Sequence, residues 1–108
     1  MKKTSFKLYL MDSLEKEMQG LQYLKPIPDG GYLFDVKRGL ISFHSKNVRE
    51  PFTIVALDSK GKVLDISDMT PSESLYSTKG ERYIVEMSKK FFNGLDLERG
   101  DVISFDTP

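Results

Sequence analysis

The chain has no cysteine, no tryptophan and a single histidine among its 108 residues. Without cysteine there is no disulfide framework, no thiolate metal site and no cysteine nucleophile. One histidine excludes a metal site built on two histidines of one chain. A carboxylate-only calcium or magnesium site stays open, although no loop carries the regularly spaced acids of a calcium-binding hand, and neither metal nor other cofactor is expected. Net charge is missing as well, because 16 basic and 16 acidic residues cancel. A neutral chain has no long-range field to draw in DNA or RNA, and no nucleic-acid partner is expected.

Long apolar runs are also lacking, so no transmembrane helix and no membrane partner are expected. The opening MKKTSFKLYLMD places two lysines before apolar residues, as a secretion signal does. Lys7 interrupts that stretch, Asp12 ends it, and no small-residue cleavage site follows. We read it as a strand. The expected location is the cytoplasm or an assembled particle.

What is present is period-two patterning. Phe6, Leu8 and Leu10 alternate with Lys7 and Tyr9, and Tyr32, Phe34 and Val36 share one side of a second strand. LISF (40–43), FTIVALD (52–58), KVLDIS (62–67), ERYIVEM (81–87) and VISF (102–105) read as further strands. SKG is a hairpin turn between FTIVALD and KVLDIS. Asp12 with Glu15 forms a capping box for a short helix, with Leu14, Met18 and Leu21 on its apolar side and Gly20 near its stop. SKKFFNGL predicts one helical turn closed by Asn93-Gly94. Residues 67–80 are polar and weakly patterned and read as a long loop. The sum is one mainly β domain over residues 1–108. It is a small antiparallel β-sandwich or barrel-like domain with one or two short helices.

Few residues offer chemistry. His44 lies in FHSKNVREPFTI, as a base, a ligand contact or a plain polar residue at a strand end. No GxSxG-like turn supplies it with a nucleophile, and no catalytic residue is expected. Lys46, Asn47 and Arg49 could hold an anion or form a solvated turn. Glu86 sits inside an apolar strand, where a carboxylate is structurally paired, exposed, or tuned for function. We expect pairing or exposure. Gly30-Gly31 precedes a strand rather than a helix and is no phosphate loop. Six strand aromatics, Tyr32 and Phe34 among them, read as core rather than a base-stacking platform.

The order of short motifs carries one more signal. EMQGLQYL is followed by DGGYLFDV, then SFHSKN and PFTIVALDSKGKVLDI, then YIVEM and a closing GD. This series resembles the domain of unknown function 192 family over roughly residues 6–105. That family shows GLM, GMLF, sFWMKNT…PLDI.F.D..G.IV, YVLEL and GD in the same order. The resemblance implies a small, mainly β, sandwich-like fold and no particular activity. Phe43, Lys46, Asn47, Pro51, Gly20, Leu33, Phe34 and Glu86 keep the family pattern. His44 and Ser45 stand where the family has Trp-Met, Thr53 where it has Asp, Tyr32 and Gln22 where it has Met. If those family residues line a pocket, this chain has altered most of that lining.

Two readings follow. The first is a non-enzymatic structural or interaction module, an accessory subunit of a larger assembly such as a virion, with other protein subunits as partners. The second is a domain binding a small anionic ligand near Tyr32, His44, Lys46, Asn47 and Glu86. The first is preferred on the absence of any catalytic constellation.

Overall fold

The computed structural model describes residues 3–11, 30–36, 42–44, 50–70, 75–77 and 80–106. They form nine strands: β1 (Lys3–Lys7), β2 (Tyr9–Met11), β3 (Tyr32–Asp35), β4 (Ser42–His44), β5 (Phe52–Leu57), β6 (Val63–Met69), β7 (Leu75–Ser77), β8 (Tyr83–Ser88) and β9 (Val102–Asp106). One helix, α1 (Lys89–Leu95), follows β8 directly. The central sheet has five strands in the order β2-β3-β8-β5-β6, and β1-β9 and β4-β7 form two-stranded pairs.

The expected mainly β architecture is present. Within it, β3, β8, β5 and β6 run antiparallel to one another in succession. The first strand departs from the antiparallel expectation. β1 pairs parallel with β9, and β2, after the single intervening residue Leu8, pairs parallel with β3. A parallel partner requires a long connection, and residues 12–31 supply one between β2 and β3. On the opposite edge one bridge, Lys62 to Val102, joins the start of β6 to β9. The bonds around it run from Val63 N to Asp101 O and from Gly100 N to Val63 O. The described strands do not close into a barrel.

β5 is buried along its whole length and β8 through Ile84–Met87. Strands covered on both faces read as continuous apolar runs, as FTIVAL and YIVEM do. One face packs Tyr32, Phe34, Phe52, Ile54, Ala56, Met69 and Ile84 with Tyr76 from β7. The other packs Leu33, Val55, Leu57, Val63, Val85 and Met87 with Leu8, Leu97 and Ile103. Phe91, Phe92 and Leu95 of α1 rest partly buried against this second face.

Local chemistry sets the boundaries. Asp58 Oδ1 accepts from the amides of Lys60 and Lys62 at 2.8 and 2.9 Å, which closes the β5–β6 hairpin. Those backbone bonds hold its carboxyl below the usual range, the Lys62 amide first. Ser88 caps α1 by accepting from Phe91 N at 3.0 Å. The helix ends one turn element later than expected, at Asp96 with φ 53° and ψ 47°, rather than at Asn93-Gly94. Asp101 is buried and accepts from Glu98 N, as a turn acid.

The segment 67–80 is not one loop. β6 continues to Met69, whose side chain is buried, and β7 pairs with β4 at Phe43↔Tyr76. The expected strand at 40–43 appears as β4 over Ser42–His44. The expected helix after Asp12 lies outside the described residues.

Gly31 has φ +83°, and a Cβ there would meet the Glu86 carbonyl oxygen at 2.0 Å. Only glycine lets the chain enter β3 this close to the β8 backbone. Gly31→Ala is expected to cost about 3 kcal/mol or more in urea unfolding, through backbone displacement and left-handed strain. Gly94 lies in α1 with open space around its Cβ position. There, Gly94→Ala is expected to add about 0.5–1 kcal/mol by the same measurement.

Candidate functional site

β8 sits between β3 and β5, and the ladder aligns Tyr32, Glu86 and Ile54 across the three strands. Residues aligned across a ladder share a face. Glu86 therefore lies on the face that holds Phe34, Phe52, Ile54 and Ile84. It is 4% exposed. Among the described residues no hydrogen bond or ion pair reaches its carboxyl, and burial pushes its pKa up to about 8. The carboxyl is neutral at pH 7 and can donate its proton to an acceptor or give it up to a stronger base.

Structural pairing or exposure was the expectation for Glu86, and neither holds among the described residues. Alternation along β8 was enough to place it with Ile84, but no pattern within one strand reports what the neighbouring strands offer it.

Tyr32, the second expected site residue, is Glu86's direct partner across β3–β8 and is itself 8% exposed. His44 lies in the separate β4–β7 ribbon, in register with Leu75. Lys46 and Asn47 lie outside the described residues. Of the five expected residues, the structure thus brings two together and places a third on another ribbon.

A second polar pair on the same face was not anticipated. Tyr76 Oη donates to Glu81 Oε2 at 2.5 Å, and both side chains are buried. Burial, then the Glu81 carboxylate, holds the phenol protonated well above its ordinary range. Asp65, on this face opposite Ala56, adds to the effect. Reading residues 67–80 as a loop hid Tyr76. Its signal, an aromatic in the short run LYS, is too brief for periodicity to register.

Other charges are paired away from Glu86. Arg82 meets Asp35 at 3.2 Å and lies 5.1 Å from the Tyr83 ring centre. Lys89 meets Asp68 at 2.6 Å, and Arg99 meets Asp65 at 2.9 Å. Thr53 is fully buried on the opposite face, its hydroxyl 3.4 Å from Asp68. It occupies the place of an aspartate in the family pattern and is no part of the Tyr32–Glu86 pair. Among the described residues no group of three or more acids, histidines or cysteines could hold a metal ion. Among them, too, no helix is long and apolar enough to cross a membrane.

The comparisons with known proteins agree with the motif order. The family model DUF192, described as "Uncharacterized ACR", matches residues 1–105. The chain belongs to the domain of unknown function 192 family. No curated protein matches it. Two solved structures share the fold. One is a protein of Sinorhizobium meliloti 1021 described as a candidate transcription regulator, with TM-score 0.72 and 22% identity over 84% of this chain and 74% of that one. The other is a protein of unknown function from Novosphingobium aromaticivorans DSM 12444, with TM-score 0.70 and 19% identity over 84% and 69%.

The buried acid makes stability pH-dependent with a definite sign. In the unfolded chain Glu86 loses its proton near the ordinary value of 4.5, whereas in the fold it keeps it to about 8. Between those values the unfolded state binds fewer protons, so stability falls as pH rises. At about 1.4 kcal/mol per pKa unit the loss is on the order of a few kcal/mol. Glu86→Gln is expected to remove most of that slope, stabilising the domain at pH 8 and changing little at pH 4. Thermal unfolding of both proteins across this range checks it. Tyr76→Phe removes a donor from buried Glu81 and is expected to cost about 1–3 kcal/mol in denaturant unfolding.

Proposed function

We propose that this domain is a non-enzymatic binding module. It admits a small, largely apolar molecule to the β3–β8–β5 face by parting the side chains that cover it, with Glu86 and Tyr32 as its polar contacts. The observation that carries this reading is Glu86: a carboxyl buried in the middle of a sheet face, without a partner among the described residues. Burying an uncompensated polar group costs stability that an apolar residue in the same place would not lose. An apolar site with one or two placed polar groups is the usual make-up of a small-molecule site. His44, Lys46 and Asn47 carry no part of this proposal.

The assembly reading has one feature of its own. β6 ends the five-stranded sheet, and Leu64 on it is 43% exposed. An open strand edge is a place for another protein subunit to add a strand. However, Asp65 Oδ1 already accepts from Ile66 N at 3.0 Å, and Asp65 and Asp68 add charge to this edge. Acids along an edge discourage pairing, so the ligand reading ranks first.

Two measurements separate the readings. In a fragment screen followed by NMR, shifts are expected to gather on Tyr32, Ile54, Ile84 and Glu86. Hits that leave these four residues unmoved would end the ligand reading. Sedimentation of the native protein from its source lysate is expected to show a small species. Co-migration with a large particle would favour the assembly role instead.

A further inference from the structure

Tyr76 ties two separately paired pieces of the fold together. β4 and β7 bond to each other as a two-stranded ribbon, while the face that holds Glu86 belongs to the five-stranded sheet. Tyr76 is buried on that face with Phe34, Phe52, Ile54, Ala56, Met69 and Ile84. Its hydroxyl donates to Glu81 Oε2 at 2.5 Å. The acceptor sits on a fixed part of the sheet. Arg82, next to it, donates its amide to Leu57 O at 3.0 Å and accepts from Val36 N at 2.9 Å, so the chain is held there from both sides. Burial and Glu81 raise the pKa of the Tyr76 phenol, and Asp65 adds to the rise. Asp65 is in register with Ala56, and Ala56 with Ile84, so the hydroxyl lies near this end of the face.

We infer that the β4–β7 ribbon is a cover latched by Tyr76, and that it lifts as one unit from the Ala56–Ile84 end of the face while the sheet beneath stays paired. Unpairing the sheet breaks the β5 ladders to β6 and β8 and uncovers both core clusters. Lifting the ribbon leaves those ladders whole. Among the described contacts it gives up the Tyr76–Glu81 bond and the burial of the Tyr76 ring. A two-stranded ribbon depends on such packing to hold its place. Proteins open first where the fewest buried contacts are lost. Ile54 and Glu86 are the next residues of this face along β5 and β8, so a lifted ribbon supplies the way in that the binding reading requires. The opening itself needs no ligand.

The chain has no cysteine of its own, so a single introduced thiol reports on its surroundings alone. Ala56→Cys and Val55→Cys place that thiol at neighbouring, fully buried positions of β5 on opposite faces. Iodoacetamide labelling of each intact variant is followed by mass spectrometry, with no other molecule added, so its outcome is separate from that of the fragment screen. The thiol at position 56 is expected to react at least about tenfold faster than the one at 55. Its rate should barely respond to low urea, whereas labelling at 55 should rise steeply, because only the second needs the sheet to unfold. Adding Tyr76→Phe to Ala56→Cys is expected to speed labelling about tenfold. Equal rates with equal urea slopes at 55 and 56 would overturn the inference. Faster labelling at 56 that Tyr76→Phe leaves unchanged would show that Tyr76 is no latch. Amide exchange of the cysteine-free chain repeats the comparison without either thiol. The amides bonding β4 to β7 are expected to exchange through one urea-insensitive opening, ahead of those bonding β5 to β8. A common rate for both sets would overturn the inference as well.

Discussion

Burial of β8 and β5 on both faces is the constraint from which the other features follow. A strand covered on two sides has no solvent side on which to place polar residues, so its sequence turns apolar throughout. Thr53 and Glu86 are the polar residues that break the rule in these strands. Thr53 is small and has Asp68 within reach. Glu86 is longer and ionisable, and its surroundings resolve the conflict by keeping it protonated. The close approach of Gly31 belongs to the same arrangement, because it brings β3 against the β8 backbone at this very residue.

The two halves of the first face have different chemistry. At one end, Tyr76 and Glu81 satisfy each other, with Asp65 nearby and itself held by Arg99. Such a pair fixes the β4–β7 ribbon against the sheet and has little to offer a ligand. At the other end, the Glu86 carboxyl has apolar walls and a tyrosine beside it. Glu81 and Glu86, both buried, thus do unlike jobs, and the difference lies in the tyrosine hydroxyl that Glu81 accepts from.

Most of the sheet was legible in the sequence, because alternation and turn chemistry are local properties. β3, β5, β6, β8 and β9 fall where apolar runs are bounded by Gly, Asp or Pro, and SKG made the hairpin readable. What was not legible depends on partners distant in the chain. The parallel pairing of β1 and β2 cannot be read from alternation, which is the same for either direction. β7 is three residues long and was lost in a polar stretch. The stop of α1 moved to Asp96 because an aspartate can take the left-handed conformation when the following chain requires it. For the site, Tyr32 and Glu86 were each visible as residues of interest. Their adjacency is a matter of register between β3 and β8, which neither strand reveals alone.

The split loyalty of the first strand bears on how the chain is made. Among the described strands β1 pairs with β9, nearly a hundred residues further on, while β2 pairs with β3 much nearer in the chain. During translation, then, residues 3–7 must wait with an open strand edge until residues 102–106 have emerged. Pairings of such wide sequence separation form slowly and leave sticky intermediates behind. The two polar residues at the head of β1, Lys3 and Thr4, are well suited to that interval: they keep the waiting edge soluble until its partner arrives.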